Sequence, residues 1–548
     1  MRRLVLAWFA LAVLPALIPF AQADERRVTA EADAEAIAIG QRMYREGILP
    51  SGEPMHGSAQ GGVERSGREA ACAACHRRSG FGSSEGQLNI RPITGPALLQ
   101  LQNVVAPNPR IAHQLGVALR PPYDDAALAR AIRDGVDASG GSLSPLMPRY
   151  ALTDAEIKPL AAYLKTLSAQ SSPGVDGENI HLATVIQPGV EPARRQAMLD
   201  IIQAFVKDKN AGTRSDVHRR EAGAMRMHRS YRTWVLHVWQ LTGSAETWGA
   251  QLEVFYREQP VFAMVSGLGN ASWRPIHDFS ERFEVPCVFP QVDLPVVSDS
   301  GFYTLYLSKG ILLEADVLAK YLREKPAVGS IVQVYGRDER GVAAAREFRV
   351  AMNDARPVVD RVLEGRASES FWTELAGEKS AVTVVSWLPA QDLATAAPLL
   401  DKRASVSEIY LSSTLLGGLG AEPAFTSDGR VRVIYPLELP AMREPRMQRA
   451  KLWLRARNIP PGDEKLQINT YFAVTLTGDV LSHLMDSFSR DFFVERVEHE
   501  VTKSLIPSIY PRVSLGPGQR FASKGSYIIP LAVVDGIEPK PMPPWIVP

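Results

Sequence analysis

The spacing of hydrophobic and polar positions changes character twice along the chain. An apolar run from Leu4 to Phe20, interrupted by Pro15 and Pro19, follows Arg2 and Arg3 and leads into Ala21-Gln22-Ala23 and two acids. A basic start, a short apolar middle and a small-residue site predict a secretory signal peptide over residues 1–23, cleaved after Ala23. The run is short, with its two prolines, for a membrane span of about 20 residues. The period then becomes helical. Ala34–Gly47 carries Ile37, Ile39, Met43 and Tyr44. Asp124–Gly135 places Leu128, Ala131 and Ile132 on one face. Thr153–Leu167 opens on an N-cap threonine with Glu156 three residues later and buries Ile157, Leu160, Ala161 and Leu164. Residues 169–180 contain Ser171-Ser172-Pro173-Gly174 and read as a linker between a first domain, 24–168, and a second, 181–548.

Beyond the linker, short apolar runs alternate with amphipathic ones. Leu182–Ile186, Thr233–Trp239, Val261–Val265, Val285–Phe289, Gly329–Tyr335, Ala381–Trp387, Ser407–Leu411 and Val431–Tyr435 read as buried strands. Stretches such as Ala245–Arg257, Glu339–Met352 and Tyr471–Phe488 read as the helices between them. Continuous apolar strands spaced by helices predict parallel sheets covered on both faces. Roughly ten strands exceed one comfortable sheet, so two doubly wound α/β lobes are expected.

Composition narrows the function classes. The chain has 548 residues, 45% hydrophobic and 22% charged, which excludes a disordered or collagen-like protein. A formal charge of +1 creates no field favouring nucleic acid. Removing residues 1–23 removes two positive charges and no negative one, which leaves a mature chain near −1. Three cysteines cannot staple a chain of this size. No G-x-S-x-G, H-E-x-x-H or P-loop pattern occurs in the second domain.

Two of the three cysteines lie in Cys72-Ala73-Ala74-Cys75-His76. This C-x-x-C-H spacing attaches a c-type haem. Two thiols one helical turn apart can each add to a vinyl group on one porphyrin edge, and the adjacent imidazole then serves as proximal iron ligand. A zinc site would need two further ligands at short spacing, and Cys287 stands alone in a strand run, where it reads as a buried, inert thiol. One motif means one haem c. Gly80-Phe81-Gly82 reads as backbone passing close to a flat ligand. Arg77 and Arg78 form either a positive rim for an acidic redox partner or a solvated or propionate-paired surface, and Arg91 before Pro92 has the same two readings.

Residues 31–168 resemble a class I cytochrome c, an all-α domain. The resemblance rests on Gly40 and Tyr44 in the first helix, on the C-x-x-C-H motif, on Met147-Pro148 in a loop, and on Tyr163-Leu164 in the last helix. It implies that Met147, 71 residues after His76, is the distal iron ligand. The soft neutral thioether favours Fe(II) and raises the potential. Met55 and His56, before the motif, are the rival sixth ligands. A six-coordinate haem suits electron transfer.

The second domain resembles, more diffusely, the type I periplasmic binding proteins of the branched-chain amino-acid receptor family. Val265-Ser266-Gly267 with Ser272, then Val285-Pro286, Phe302-Tyr303-Thr304, Val433-Ile434-Tyr435-Pro436, Tyr471-Phe472-Ala473-Val474 and Ser526-Tyr527-Ile528-Ile529 carry the likeness. It implies lobe one over about 181–303 and 431–505, lobe two over about 304–430 and 506–548, and a cleft that closes on a ligand. Ser266, Ser272, Trp273 and Tyr335 are the cleft candidates. Ser272 is either a ligand contact at a helix N-terminus or a simple cap, and Trp273 a cleft wall or a hydrophobic plug. Where amino-acid receptors carry a Ser/Thr pair after the fourth strand, this chain has Pro290-Gln291-Val292-Asp293, which speaks against an ordinary amino-acid ligand.

Three functions follow. The leading one is a periplasmic electron-transfer cytochrome whose second domain recognises a small molecule or a redox partner. The resemblance implies a periplasmic quinoprotein dehydrogenase as that partner. The others are a transporter-type solute receptor with an accessory or sensing haem, and an oxidoreductase whose cleft-bound substrate reduces the haem.

Overall fold

The computed structural model describes residues 20–85, 88–100, 102–103, 119–221, 232–326, 329–365, 368–376, 381–400, 405–418, 425, 430–485, 487–505, 507–531 and 544–548. Most of the expected signal peptide lies outside them. The chain divides into two compact units, Met1–Ala169 and Gln170–Pro548. Among the described residues no helix is long and apolar enough to cross a membrane.

In the first unit the helices Phe20–Glu46 and Asp154–Thr166 cross closely. Gly40 makes the crossing possible, because a Cβ there would stand 2.1 Å from the Pro159 carbonyl oxygen and 2.8 Å from Tyr163 Cβ. One turn on, the rings of Tyr44 and Tyr163 meet with centroids 5.4 Å apart. Gly95 touches the far end of the same helix, where a Cβ would come within 2.2 Å of the Lys165 carbonyl oxygen. The helix starts on a capping box: Glu156 Oε2 accepts from the Thr153 N–H at 2.7 Å and from Thr153 Oγ1 at 2.8 Å. Helix Asp125–Arg133 is capped by Asp124, whose carboxylate accepts from the Ala127 N–H at 2.7 Å.

The unit is helical in its core but is not built of helices alone. Three antiparallel ladders decorate it: β1 (His56–Ala59) with β2 (Val63–Ser66), β3 (Ser83–Glu85) with β4 (Leu88–Ile90), and β5 (Gln102–Asn103) with β6 (Leu119–Arg120). The first turns at Gly61 and Gly62, whose φ values of +82° and +74° suit the tight hairpin turns that match strand twist.

The second unit contains two six-stranded sheets. β7 (Asn179–Ile186), β8 (Thr233–Gln240), β9 (Ala263–Val265), β10 (Cys287–Val288) and β11 (Thr304–Ser308) pair in parallel in the order β8-β7-β9-β10-β11. β12 (Ser330–Gly336), β13 (Val358–Leu363), β14 (Val382–Trp387), β15 (Val406–Ser412) and β16 (Val431–Tyr435) repeat that order as β13-β12-β14-β15-β16, again in parallel. β17 (Phe521–Ser523) then adds to β11 in parallel, and β18 (Tyr527–Pro530) to β16 antiparallel. Each sheet therefore has the doubly wound order 2-1-3-4-5, with its topological switch point between the first and third strands.

The crossings between lobes differ from the expectation. Thr304–Ser308 pairs in the first sheet and Val431–Tyr435 in the second, one strand later on each pass, and Phe521–Ser523 returns to the first sheet. Each of these strands is mostly buried, and a buried strand's period does not say which sheet buries it. After β11 the chain turns at Gly310, with φ +58°, where a Cβ would lie 2.2 Å from the Asp293 carbonyl oxygen.

Candidate functional site

In the first unit the C-x-x-C-H segment forms one helical turn, Ala73–His76, with Cys72 at its N-cap. The Cys72 carbonyl accepts from the His76 N–H at 2.8 Å and from the Cys75 N–H at 3.2 Å, which sets the two cysteines one turn apart on one side. Both thiols are free, with Cys72 partly buried and Cys75 exposed. Burial pushes the Cys72 thiol up to about 12, so it stays protonated. Arg77, with φ +65°, ends the turn, and its carbonyl accepts from the Tyr44 hydroxyl at 2.7 Å. The buried Ala70 carbonyl accepts from the Tyr150 hydroxyl at 2.8 Å. The motif is thus clamped on both sides by tyrosines from distant elements.

His76 Nδ1 lies 3.0 Å from the Arg91 carbonyl oxygen. A carbonyl only accepts, so Nδ1 carries the proton and Nε2 keeps its lone pair. Burial lowers the His76 pKa, which favours the neutral imidazole that binds a metal. Arg91 therefore serves His76 through its backbone, a role that reading side chains alone did not reveal. The donor set of two free thiols and a tautomer-fixed imidazole fits a covalently attached haem.

Gly80 and Gly82 owe their freedom to the protein itself. Cβ atoms there would stand 2.5 Å from Leu167 Cδ2 and 1.9 Å from the Ile90 carbonyl oxygen, and φ is positive at both. Met147 is half-buried in a loop held by Arg149, whose guanidinium donates to the carbonyl of Met147 at 2.6 Å and to those of Leu143 and Ser144 at 3.4 Å. The Arg149 backbone pairs with Ser58 of β1 through bonds of 2.8 and 2.9 Å. Of the rival ligands, Met55 is 1% exposed within the core of the unit, and His56 is exposed.

In the second unit the switch points of the two sheets face each other. At the first, Gln187 follows β7, and its side chain accepts from the Ala271 N–H at 3.0 Å and donates to the Ser272 carbonyl at 3.1 Å. At the second, Asp338 caps the helix that follows β12, accepting from the Gly341 N–H at 3.1 Å. The Ser272 N–H donates to Glu339 Oε2 at 3.2 Å and so joins the two. Ser272 Oγ accepts from the Arg274 N–H at 3.3 Å, a serine turn one residue ahead of the helix N-cap, which is Trp273.

Next to this junction is a polar pocket lined by Arg194, Gln291, Asp293, Lys465, Asn469 and Tyr510, among others. Asp293 lies between two cations, with Arg340 at 3.4 Å and Lys465 at 3.5 Å. Burial opposes the charge on Lys465, but Asp293, Tyr510, Asp463 and Glu314 together outweigh it and hold the ammonium above its ordinary range. Close by, Glu314 is fully buried and accepts from Ser412 Oγ, from Ser413 Oγ at 2.9 Å, and from the Thr414 N–H and Oγ1 at 3.1 and 2.8 Å. Desolvation pushes its pKa up to about 7 despite these donors.

The other cleft candidates lie elsewhere. Trp273 is fully buried and packs over Gly267, where a Cβ would meet its ring at 3.0 Å, so it plugs the first switch point. Ser266 is 1% exposed with φ +56°. Tyr335 is half-buried beside Asp360 and Arg349 and does not line the pocket. Cys287 is buried, and burial pushes its thiol up to about 12. Sequence reading singled out the loop of Asp293 but not Glu339, Arg340 or Lys465. Those three sit in the first turns of helices, where a carboxylate such as Glu339 is ordinary, whereas the cations Arg340 and Lys465 run against the helix dipole.

A family model described as cytochrome c matches residues 67–168. A search among curated proteins finds no match. Among solved structures, the chain is similar to a putative branched-chain amino acid ABC transporter from Rhodospirillum rubrum, at 12% identity and a TM-score of 0.46, over 64% of this chain and 96% of that one. It is also similar to a fatty acid ABC transporter substrate-binding protein from Thermomonospora curvata, at 16% identity and 0.42, over 66% and 90%. A branched-chain amino acid transporter substrate binding protein from Streptococcus pneumoniae in complex with isoleucine matches at 12% identity and 0.44, over 64% and 95%.

Proposed function

We propose that this chain is an exported, periplasmic c-type cytochrome with one haem, which transfers electrons while its second unit recognises a small molecule or a redox partner. The observation that carries the reading is the His76 environment: two free thiols on one turn beside an imidazole whose Nδ1–H is held by the Arg91 carbonyl. When bound, haem c supplies a one-electron Fe(III)/Fe(II) couple. Cys72 and Cys75 would hold the haem by thioether bonds, each S–H having been added across a vinyl group with sulfur on one carbon and hydrogen on the other. His76 Nε2 would supply its lone pair to the iron, and Tyr44 and Tyr150 keep the attachment turn in place. Met147 would offer a neutral thioether as the second iron ligand, its loop braced by Arg149.

The second unit contributes recognition. In doubly wound sheets, ligands bind outside the carboxyl ends of the strands at the switch point, and here two such points meet beside Asp293, Lys465 and Arg340. A periplasmic quinoprotein dehydrogenase is the proposed electron donor. Acid–acetone treatment of the purified protein should leave the pigment on the polypeptide, and the alkaline pyridine spectrum should be that of a haem with both vinyls saturated. Extraction of the pigment into the organic phase would overturn the reading.

A further inference from the structure

The stretch that reads as a linker is fastened to the second unit. The Ser172 N–H donates to the Phe488 carbonyl at 2.8 Å, Arg490 Nη2 to the Pro173 carbonyl at 3.0 Å, and the His181 N–H to the Gly174 carbonyl at 2.8 Å. The Thr233 N–H, at the start of β8, donates to the Glu178 carbonyl at 2.8 Å. Asp176 stands at the centre of this turn. Its Oδ1 accepts from the Glu178 and Asn179 N–H groups, both at 2.7 Å, and its carbonyl accepts from Arg232 Nε at 2.6 Å. The bond from Glu178 does most to hold the carboxyl below its ordinary range, so Asp176 stays an anion while histidines titrate.

The other carboxylate oxygen, Oδ2, lies 3.5 Å from His181 Nε2, and His181 Nδ1 lies 3.0 Å from His237 Nε2 across the β7–β8 pair. The two imidazole planes differ by 28°, and the ring centres are 5.3 Å apart. The rings therefore meet end on, nitrogen to nitrogen. Lone pairs aimed at each other suit a shared proton, whereas a metal held at about 2.0–2.1 Å from each nitrogen needs them to converge.

One tautomer makes every bond. His237 Nε2–H donates to His181 Nδ1, and His181 Nε2–H faces the carboxylate. A proton added at His237 Nδ1, with the shared proton passing to His181, keeps this order: the imidazolium of His181 then lies between Asp176 and a neutral ring. A second proton sets N–H against N–H at 3.0 Å, with two like charges.

Nothing else nearby supplies a counter-charge. By strand alternation His181 and His237 point to the face of Ala183, Val185 and Trp239, covered by the helices Ala245–Glu258 and Arg274–Arg282. There Glu253 is taken by Arg257 at 2.8 Å and by Arg282, and the Tyr256 hydroxyl accepts from Arg490 at 3.0 Å. Glu178 of the turn is exposed, and β9 carries only Ala263, Met264 and Val265. Burial first, and then His181, lower the His237 pKa. Its share of the fastening is thus full above the ordinary 6.5 and is lost as pH falls below it.

We propose that Asp176, His181 and His237 are a proton-operated fastening. It holds the turn 174–179 to the edge of the first sheet while the histidine pair carries at most one proton, and it releases the turn when acid places one on each ring.

Hydrogen exchange of the full chain, as purified, read by mass spectrometry between about pH 8 and about pH 5, tests this. After correction for the intrinsic pH dependence of exchange, the amides of Glu178, Asn179, His181 and Thr233 should lose protection about tenfold or more on the acid side, while Ala263–Val265 keep theirs. His237→Gln cannot take a proton and still offers an N–H to His181, so it should keep the protection throughout. Asp176→Asn keeps an acceptor for the turn but loses the anion that holds the first proton, so its turn should open at higher pH than in the wild type. Protection independent of pH, or a fall as large in His237→Gln as in the wild type, would overturn the proposal. So would a fall shared equally by β9, which is acid unfolding of the whole sheet. Should His237→Gln not fold, Asp176→Asn decides: opening at the same or lower pH than in the wild type overturns it.

Discussion

At the scale of single residues, protonation and ligand softness decide behaviour. His76 owes its usable Nε2 to one carbonyl, and Met147 its position to one guanidinium. Axial ligands span about 0.8 V of haem potential. Met147→His should therefore lower the reduction potential by something on the order of 0.1–0.3 V, measured by spectroelectrochemical titration. An unchanged potential would mean that Met147 is not the distal ligand. Glu314 is a second case. Its carboxyl ionises near 4.5 when solvated and near 7 when folded. Between those values the folded state keeps a proton that the unfolded chain has lost. The stability tied to this group is thus full below 4.5 and disappears as pH rises through 7. Glu314→Gln stays neutral throughout, so it should match the wild type at acid pH and exceed it in alkaline solution by up to about 3 kcal/mol. Denaturant unfolding across that pH window checks the sign.

At the scale of elements, close approach of backbones is the controlling fact. The first and last helices of the first unit touch through Gly40 with no room for a methyl group, and the obstacle is backbone carbonyl rather than a movable side chain. Gly40→Ala should separate them and cost about 1–3 kcal/mol, visible as an earlier thermal transition of that unit. Tyr44→Phe leaves the packing against Tyr163 and removes the bond to Arg77. It should cost about 1 kcal/mol and loosen the attachment turn, which limited proteolysis next to Cys75 would report. The Thr153–Glu156 box was legible in the sequence because it depends on residues three apart, and Gly40 and Tyr44 were named on the resemblance to class I cytochromes c, without the partners Pro159, Tyr163 and Arg77 that they meet. The β1–β2 hairpin and the Arg91 carbonyl contact were not legible. They depend on segments brought together only by folding.

At the scale of the whole molecule, the second unit is two copies of one strand order joined where their switch points meet. Asp293 bridges to Arg340 of the second lobe, and Glu339 of that lobe to the Ser272 N–H of the first. Both partners of the ion pair are about a third exposed, so the pair is worth no more than about 1 kcal/mol. That is enough to bias a hinge and too little to lock it. Asp293→Ala should shift the population toward open lobes by up to about fivefold, seen as a larger radius of gyration in solution scattering, with the wild type moving the same way at high salt. No change in either experiment would mean that packing alone holds the lobes.

The haem-binding spacing, the helical caps, the alternating strands and the break near residue 169 follow from the chain itself, since they rest on local period and on residues a few positions apart. Sheet membership of Thr304–Ser308 and Val431–Tyr435, the burial of Trp273 as a plug, and the meeting of Asp293 with Lys465 and Arg340 were decided only in three dimensions. Apolar strands look alike along a sequence, and a charge finds its partner only once distant helix ends have been brought to the same edge of a sheet.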